Sequence, residues 1–217
     1  MTTQKIGILG SGTVAQTLGT GLLAVGHKVK LGTRDTSKLE AWLKDVTNVN
    51  ASVGSFADAA SFGEVVILAT LGVATASAIE LAGKRNFTGK IVIDTTNPLD
   101  FSKGVPPTFA AELGNSLGEQ IQRWIPDSKV VKAFNSIGAH IMVNPKREEG
   151  TPDLVIAGNN SDAKKWVSEL AIQWGWNSCV DLGGIENSYW LEAFAMLWIQ
   201  YAVKNNHWTH AFKLLKN

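Results

Sequence analysis

The most informative segment for the fold is Lys5-Ile6-Gly7-Ile8-Leu9-Gly10-Ser11-Gly12-Thr13-Val14-Ala15. Its apolar first part predicts a strand, and leucines at helical spacing after it predict a helix, so the glycines stand in a tight turn between the two. Gly10 allows the turn, Gly12 lets the backbone approach a pyrophosphate, and the small Ala15 lets the helix pack closely on the strand. The helix N-terminus then faces the phosphates of a dinucleotide. The predicted phosphate-binding residues are Gly10, Ser11, Gly12, Thr13 and Val14.

The end of the next predicted strand, which begins at Lys28, indicates which dinucleotide is bound. Folds that prefer NAD carry Asp or Glu about twenty residues past the glycines, where the carboxylate binds the ribose hydroxyl. This sequence has Thr33 and Arg34 there, with Lys38 one helical turn later. A guanidinium binds phosphate through two parallel hydrogen bonds, whereas a carboxylate repels it. The sequence therefore predicts NADP(H), with Thr33, Arg34 and Lys38 at its 2′-phosphate and Asp35 as the N-cap of the following helix.

Strands and helices continue to alternate along the chain, which is typical of an α/β protein. Further strands are predicted at residues 51–53, 65–69, 91–94, 130–134, 154–157 and 179–182. Helices are predicted at residues 37–46, 74–82, 116–124, 162–174 and 186–204. Because the strands are runs of apolar, mostly β-branched residues, they indicate burial on both faces and a doubly wound parallel sheet of the Rossmann, NAD(P)-binding type.

A polar connection separates two segments of the chain. Residues 1–145 form the predicted NADP-binding Rossmann domain, and residues 151–217 form a short α/β C-terminal extension of the sheet with a long aromatic helix. We expect the two segments to form one structural unit. The proline-flanked residues 144–152 between them are typical of an exposed connection. A loop rich in Gly and Pro at residues 98–114 is placed to fold over a ligand.

Composition excludes several classes of function. The 217 residues carry a net charge of +1, which leaves no basic stripe for a nucleic-acid backbone. The longest apolar stretch, residues 193–203, is too short to cross a bilayer and includes Gln200. Residues 1–4 do not resemble a signal peptide, and the single Cys179 cannot form an internal disulfide. We therefore expect a soluble cytoplasmic protein that binds neither nucleic acid nor membrane.

Ligands of open α/β sheets lie at the carboxyl ends of the strands, near the point where the strand order reverses. Polar or small residues follow three of the predicted strands and are expected to line the nicotinamide half of the site. They lie in residues 69–71, 94–98 and 135–139 and include Ala69, Thr70, Leu71, Thr95, Asn97, Asn135, Ile137, Gly138 and Ala139. Asn97 and Asn135 are placed to hold the carboxamide, and Gly138 to leave room for a flat ring. The alternative is that these residues form turns and caps, as Asn, Thr, Ser and Gly commonly do.

Side chains suited to acid catalysis are scarce, and no catalytic residue is assigned. Tyr201 and Lys204 are three positions apart, not the four of a short-chain dehydrogenase pair. Asp94 is interpreted as a capping carboxylate. Lys132 is the one lysine in a buried strand, and we expect its aliphatic stem to pack in the core while its ammonium lies at the strand end. No metal site is predicted, because the two C-terminal histidines have no nearby carboxylate. Carbonyl reduction usually needs a proton donor, whereas hydride transfer to a flavin-like ring depends on positioning, so the sequence favours a ring acceptor.

Four stretches of the sequence together resemble the deazaflavin-dependent NADP oxidoreductases, the coenzyme F-420 family. They are residues 10–14, 32–34, 131–139 and 181–186, the last followed by a helix that contains tryptophan. The cytosolic reductase domain of the six-transmembrane ferric reductases is similar. The resemblance covers nearly the whole chain. It implies one Rossmann domain with a short extension, a 2′-phosphate at Thr33, Arg34 and Lys38, and a nicotinamide and acceptor ring near residues 137–139.

Three positions depart from the family pattern at the implied acceptor pocket. Leu71 and Gly138 stand where the family has proline, and Asn135 stands where it has histidine. The resemblance therefore supports NADP(H) as the cofactor and leaves the acceptor open.

Six of the eight tryptophans lie in the C-terminal third of the chain. Trp190, Phe194, Leu197, Trp198 and Tyr201 form one predicted helical stripe. Packing in the core or between subunits is favoured over a surface that stacks on a flavin. A homodimer that completes the pocket across its interface satisfies both interpretations.

The leading hypothesis is an NADPH-dependent oxidoreductase that transfers a hydride between NADP(H) and a deazaflavin, a flavin or a related conjugated acceptor. The acceptor is then a small-molecule second substrate. Two alternatives stay open, namely a reductase of a small carbonyl or imine and a non-catalytic protein that senses NADPH.

Overall fold

The computed structural model of the chain describes residues 2–215. Three residues at the ends of the two predicted segments lie outside the described range, namely Met1, Lys216 and Asn217. Within residues 2–215, one mostly parallel eight-stranded sheet has apolar clusters and helices on both faces. This is the doubly wound α/β architecture that the sequence predicts. None of the helices in this range combines the length and the apolar character of a membrane span.

The strands and helices of the described chain have the following bounds. The strands are β1 (Lys5–Leu9), β2 (Lys28–Gly32), β3 (Ala51–Gly54), β4 (Val65–Leu68), β5 (Ile91–Asp94), β6 (Leu99–Asp100), β7 (Thr108–Phe109), β8 (Lys129–Lys132), β9 (Leu154–Gly158) and β10 (Cys179–Asp181). The α-helices are α1 (Thr13–Ala24), α2 (Glu40–Val46), α3 (Phe56–Phe62), α4 (Thr75–Ala82), α5 (Leu117–Trp124), α6 (Ala139–Met142), α7 (Ser161–Gln173) and α8 (Ser188–Asn205). Short 3-10 helices are formed by Thr36–Leu39, Gly72–Ala74, Lys84–Phe87 and Ile185–Asn187.

The order of the strands across the large sheet is β10-β9-β8-β5-β4-β1-β2-β3. The chain moves outward from β1 to β3 and then returns to place β4 on the other side of β1, so the order reverses between β1 and β4. Neighbouring strands are parallel except β8 and β9, which pair antiparallel with Lys132 opposite Ala157. The segment that leads into β9 therefore lies at the same edge of the sheet as the carboxyl ends of the parallel strands.

The elements predicted from the sequence are present, with small shifts of their bounds. The Asp35 carboxylate accepts a hydrogen bond from the Ser37 N–H at 3.1 Å, which confirms Asp35 as an N-cap. The sequence interpretation missed α3, whose only local signal is the capping box of Ser55 and Asp58. It also missed the β6–β7 hairpin inside the loop at residues 98–114. Both are short, and tertiary contacts rather than periodicity stabilise elements of that length.

Two apolar clusters, one on each face of the sheet, hold the helices in place. Ile6 and Ile8 of β1 belong to the first cluster, together with Leu22 of α1. Leu9 belongs to the second cluster, together with Phe87. Because successive side chains of a strand point to opposite faces, a strand buried on both sides is apolar throughout.

A fully buried ionic cluster joins the sheet to helices α5 and α8. Lys132 Nζ lies 2.6 Å from Asp94 Oδ2 and 2.8 Å from Glu192 Oε1, and all three side chains are 0% exposed. Lys132 also donates to the Thr96 carbonyl oxygen at 2.8 Å. The Glu192 carboxylate accepts the first two backbone N–H groups of α5, at 3.1 and 2.9 Å. Glu192 on α8 therefore caps α5 and neutralises the strand lysine at the same time.

The position of Lys132 corrects one expectation from the sequence. Its ammonium is buried between carboxylates instead of reaching solvent at the strand end. Burial by itself lowers the pKa of Lys132, but the charges and hydrogen bonds of Asp94 and Glu192 raise that pKa above its ordinary value. Asp94 Oδ1 accepts hydrogen bonds from the N–H and hydroxyl of Thr96, which confirms its capping role. Lys132 is thus a charged structural residue near neutral pH.

The predicted aromatic stripe of α8 is divided between core and surface. Trp198 is buried and stacks on His210, with ring centroids 4.7 Å apart. Trp190, Leu197 and Tyr201 are each about half exposed, at 55%, 55% and 46%. The division arises because the segment that follows α8 folds back over only part of the helix.

Replacing Lys132 by Met removes the cation that lies between two buried carboxylates. We expect the free energy of unfolding to fall by about 3–5 kcal/mol, measured by urea denaturation. Lys84→Met is the control, because it breaks an exposed pair with Glu80 and is expected to cost less than about 1 kcal/mol. Equal losses in the two variants would contradict the stabilising role of the buried cluster.

Candidate functional site

A cavity of about 420 Å³ opens where the strand order reverses. Its walls come from the carboxyl ends of β1, β2 and β4, with Thr95 following β5. The lining residues that the sequence predicted are Gly10, Ser11, Gly12, Thr13, Val14, Thr33, Arg34, Lys38, Ala69, Thr70, Leu71 and Thr95. The fold therefore brings four separate segments of the predicted site together in one place.

The glycine turn after β1 is shaped by two glycines with different surroundings. Gly10 has a φ of 150°, and a side chain there would collide with the carbonyl oxygen of Ala69. An atom added at Gly12 meets nothing within 4 Å, because this glycine borders open space. The side-chain amide of Gln16 donates to the Ser11 carbonyl oxygen at 2.9 Å and fixes the turn between them.

Helix α1 begins directly at this turn with Gly12 as its N-cap. No side chain caps its first N–H groups, and no acidic residue lies in its first turn. Unpaired N–H groups and the helix dipole make a helix N-terminus attractive to anions. The first turn of α1 lines the cavity and is therefore suited to a phosphate group.

The β2 end of the cavity is cationic. Arg34 and Lys38 are exposed, and the buried Thr33 accepts a hydrogen bond from the Asp35 N–H at 3.2 Å. Asp35 also borders the cavity, but its carboxylate accepts the hydroxyl and N–H of Ser37. Those hydrogen bonds lower the pKa of Asp35. The Asp35 carboxylate is therefore occupied as a helix cap, and it lies beside the two cations Arg34 and Lys38.

The opposite end of the cavity, beside β4 and β5, has no titratable side chain among its described lining residues. Ala69, Thr70 and Leu71 follow β4 there, and Thr95 follows β5. The Thr70 hydroxyl lies 3.1 Å from the hydroxyl of Thr75, which fixes its orientation. Leu71 is 67% exposed and forms an apolar rim. This end is suited to positioning a flat ring and offers no acid or base side chain.

Five predicted site residues lie outside this cavity, beyond β5 and β8. They are Asn97, Asn135, Ile137, Gly138 and Ala139. Asn135 Nδ2 donates to Asn97 Oδ1 at 2.9 Å, and Asn97 Nδ2 donates to the Asn135 carbonyl oxygen at 2.7 Å. Asn135 Nδ2 also donates to the Leu191 carbonyl oxygen at 2.9 Å, which ties both strand ends to α8. Within residues 2–215, the buried Asn135 Oδ1 has no hydrogen-bond donor.

The surroundings of Gly138 differ from the open space expected from the sequence. A side chain at this position would meet the imidazole of His140 and lie 3.2 Å from the carbonyl oxygen of Trp208. The segment after α8 therefore covers the backbone at Gly138. Periodicity within α8 gave no indication that the chain would turn back at this point.

Several lining residues were not predicted from the sequence, namely Asp35, Phe56, Ala74, Ser77 and Ala78. The apolar helix residues carry no usable signal, since only the tertiary structure turns them toward the cavity. Glu192 was also missed, although a carboxylate in an otherwise apolar helix indicates a buried partner.

Comparison with known proteins gives a consistent result. The family described as coenzyme F420-dependent NADP oxidoreductase matches residues 5–98. An F420-dependent NADP reductase of Methanocaldococcus jannaschii is 33% identical over 92% of this chain and 93% of its own length. A solved structure from Arthrobacter sp. FB24, described as a candidate F420-dependent NADP reductase, has a TM-score of 0.92 at 36% identity, covering 98% of this chain and 100% of that chain.

More distant similarities cover only part of longer proteins. The metalloreductase STEAP3 of Rattus norvegicus is 29% identical over 88% of this chain, which corresponds to 36% of the length of that protein. A reductive aminase from Aspergillus terreus has a TM-score of 0.66 at 18% identity, covering 94% of this chain and 63% of that chain. The second similarity concerns the fold alone.

The two glycines of the turn provide a matched pair of substitutions. Gly10→Ala forces a strained backbone conformation and a collision with Ala69, and we expect it to destabilise the protein by about 1–3 kcal/mol. Gly12→Ala enters open space and is expected to change stability by less than about 0.5 kcal/mol. Chemical denaturation measures both values. A loss at Gly12 as large as that at Gly10 would contradict the open space assigned to Gly12.

Proposed function

The chain belongs to the coenzyme F420-dependent NADP oxidoreductase family, and from that premise we propose that it transfers a hydride between NADP(H) and a deazaflavin, a flavin or a related conjugated ring. It is an NADP-dependent oxidoreductase. The identity of the acceptor ring and the residues that hold both substrates are the parts that we propose here.

The proposal rests mainly on one observation: the uncapped N-terminus of α1 and the cationic carboxyl end of β2 line the same cavity. The N–H groups at the start of α1 and the open backbone at Gly12 fit a pyrophosphate. Arg34 and Lys38 fit the 2′-phosphate, which Arg34 can hold through two parallel hydrogen bonds. Thr33 lies beside them with its backbone fixed by a hydrogen bond to Gly54 at 3.0 Å. The donor set thus matches NADP(H) better than NAD(H).

The nicotinamide half of the bound cofactor is assigned to the end of the cavity at β4 and β5. When bound there, the reduced nicotinamide supplies a hydride. Ala69, Thr70 and Thr95 form the wall on which the ring is oriented, and the exposed Leu71 shields the rim from water. These residues position the ring and move no proton.

The described residues that line that end include no titratable side chain, which supports a conjugated ring as the acceptor. Reduction of a carbonyl or imine usually requires a proton donor beside the reacting carbon, worth about 10²–10⁴-fold in rate. A conjugated ring requires close and parallel placement instead, which the small side chains at β4 and β5 allow. Lys132 is not available as a donor, because its ammonium is fully buried in an ionic cluster.

A homodimer forms part of the proposal. Trp190, Leu197 and Tyr201 on α8 and Leu182 after β10 are exposed apolar side chains, and burying them between subunits would remove them from water. Analytical ultracentrifugation of the full chain measures this directly, and a monomer at micromolar concentration would refute the homodimer.

Arg34→Ala is expected to weaken binding of NADPH about tenfold or more while changing NADH binding little, because a charge-assisted hydrogen bond contributes about 1.5–3 kcal/mol. Fluorescence titration of the reduced cofactors measures both dissociation constants. Arg85→Ala is the control, because Arg85 is an exposed cation outside the first cavity. Equal weakening of NADPH and NADH in Arg34→Ala would contradict the assignment of the 2′-phosphate.

The acceptor is tested by anaerobic oxidation of NADPH in the presence of one candidate at a time. We expect turnover with a deazaflavin or flavin and none with small ketones or cyclic imines. Turnover of a small carbonyl or imine alone would replace the proposal with the reductase alternative. Tight binding of NADPH without turnover of any candidate would favour a sensor of NADPH.

A further inference from the structure

A second polar cavity, of about 360 Å³, lies between the segment that precedes β9 and the segment that follows α8. We call it the cationic cavity. Among its lining residues are Arg147, Glu149, His207, His210 and Lys213. The sequence predicted residues 144–152 as an exposed connection, but Pro145 and Pro152 are buried in the structure. Because both prolines are buried, the connection packs against the rest of the protein and forms one wall of the cationic cavity.

Arg147 is the residue that gives this cavity a chemical character. Its Nε and Nη2 atoms are buried, and no acceptor among residues 2–215 bonds to either of them. None of the ion pairs in the described chain includes Arg147. Burying N–H groups of a guanidinium without partners is costly, so a partner from outside the described residues is expected.

Other groups around Arg147 add positive charge and hydrogen-bonding capacity. Lys213 lines the same cavity and takes part in no ion pair of the described chain. His210 Nε2 is buried without a partner in residues 2–215, while its Nδ1 lies 2.9 Å from the His207 carbonyl oxygen. Glu149 is the one carboxylate of the lining, and it is exposed. The lining therefore favours an anion that accepts several hydrogen bonds at once.

The cationic cavity lies at the carboxyl edge of the sheet, the same edge as the proposed cofactor site. Because β9 runs antiparallel to β8, the segment before Leu154 stands beside the end of β8. The covering segment also reaches Gly138, where the Trp208 carbonyl oxygen lies close to the backbone. Burial and the charge of Arg147 lower the pKa of His140, which places Arg147 near the same loop. Two strand spacings, roughly 10 Å, separate β5 from β9 across the sheet.

We propose that the cationic cavity binds the phosphate group of the hydride acceptor, with Arg147 as its principal ligand and Lys213 as a further donor. The inference rests on the proposed function, because it assigns the tail of the acceptor whose ring lies beside the nicotinamide. Because β5 and β9 are only two strand spacings, about 10 Å, apart, the side chain of an acceptor ring held beside β5 would extend along the sheet edge toward this cavity. The acceptor is therefore a ring compound with a phosphorylated side chain, and Arg147 selects for it.

The anion site itself is tested by isothermal titration calorimetry with inorganic phosphate. The background is Arg34→Ala with Lys38→Ala, which removes the cations of the first cavity. Any phosphate that still binds at the N-terminus of α1 is recognised because its binding does not depend on Arg147. We expect saturable binding that Arg147→Met weakens about tenfold or more, that Lys213→Met weakens to a smaller extent, and that Arg85→Met leaves unchanged. Absence of saturable binding, or equal binding by the Arg147→Met variant, would overturn the proposal.

The source of the phosphate is tested with FMN and riboflavin, which share one ring system and differ in the terminal phosphate. We expect a KM for FMN about tenfold or more below that for riboflavin, and we expect Arg147→Met to remove this advantage without changing kcat or the KM for NADPH. Equal KM values in the wild-type protein would assign the cavity to a free anion and overturn the proposal.

The failure of this inference can be told apart from the failure of the proposed function. If neither flavin is reduced, the choice of a flavin as acceptor fails. Calorimetric titration of FMN against riboflavin then decides the inference by binding alone. Tighter binding of FMN that depends on Arg147 supports the cavity as a phosphate site, and equal binding of the two flavins overturns it.

Discussion

The buried ion cluster of Lys132 with Asp94 and Glu192 constrains the C-terminal half of the molecule more than any apolar contact does. Charged groups removed from water are tolerated only when every one of them is paired and hydrogen-bonded. Lys132 meets this requirement with two carboxylates and a carbonyl oxygen, and Glu192 meets it by also capping α5. Apolar contacts tolerate small shifts of a helix along the sheet. The hydrogen bonds and the ion pair of Glu192 require fixed distances, so they hold α8 in one register relative to the sheet.

The fixed register of α8 has consequences at the carboxyl edge of the sheet. The Leu191 carbonyl oxygen, one residue before Glu192, accepts a hydrogen bond from Asn135 and thereby orders the loop after β8. Farther along the helix, buried Trp198 donates to the His210 carbonyl oxygen at 2.9 Å and holds the returning segment. The walls of the cationic cavity thus depend on the buried cluster of Lys132, Asp94 and Glu192, although none of these three residues lines either cavity.

The carboxyl edge divides into regions of different electrostatic character. The β2 end is cationic, the β4 and β5 end lacks titratable groups among the described lining residues, and the region before β9 is cationic again. All lining residues of the first cavity fall within residues 5–98, the part that the family comparison matches. The cationic cavity belongs wholly to the remaining part. Cofactor binding and acceptor selection are therefore proposed to reside in different parts of one sheet.

The doubly wound sheet, the glycine turn and the cationic end of β2 can all be predicted from the amino-acid sequence. These features rest on local chemistry: strand periodicity, the backbone freedom of Gly10, and the charges that follow β2 within a few residues. Three other features become visible only in the folded chain: Asn97 and Asn135 bond to each other, Lys132 is enclosed, and the chain returns over Gly138. Each of those outcomes joins residues far apart in the chain. Which partner a buried polar group finds depends on packing in three dimensions, and no local pattern carries that information.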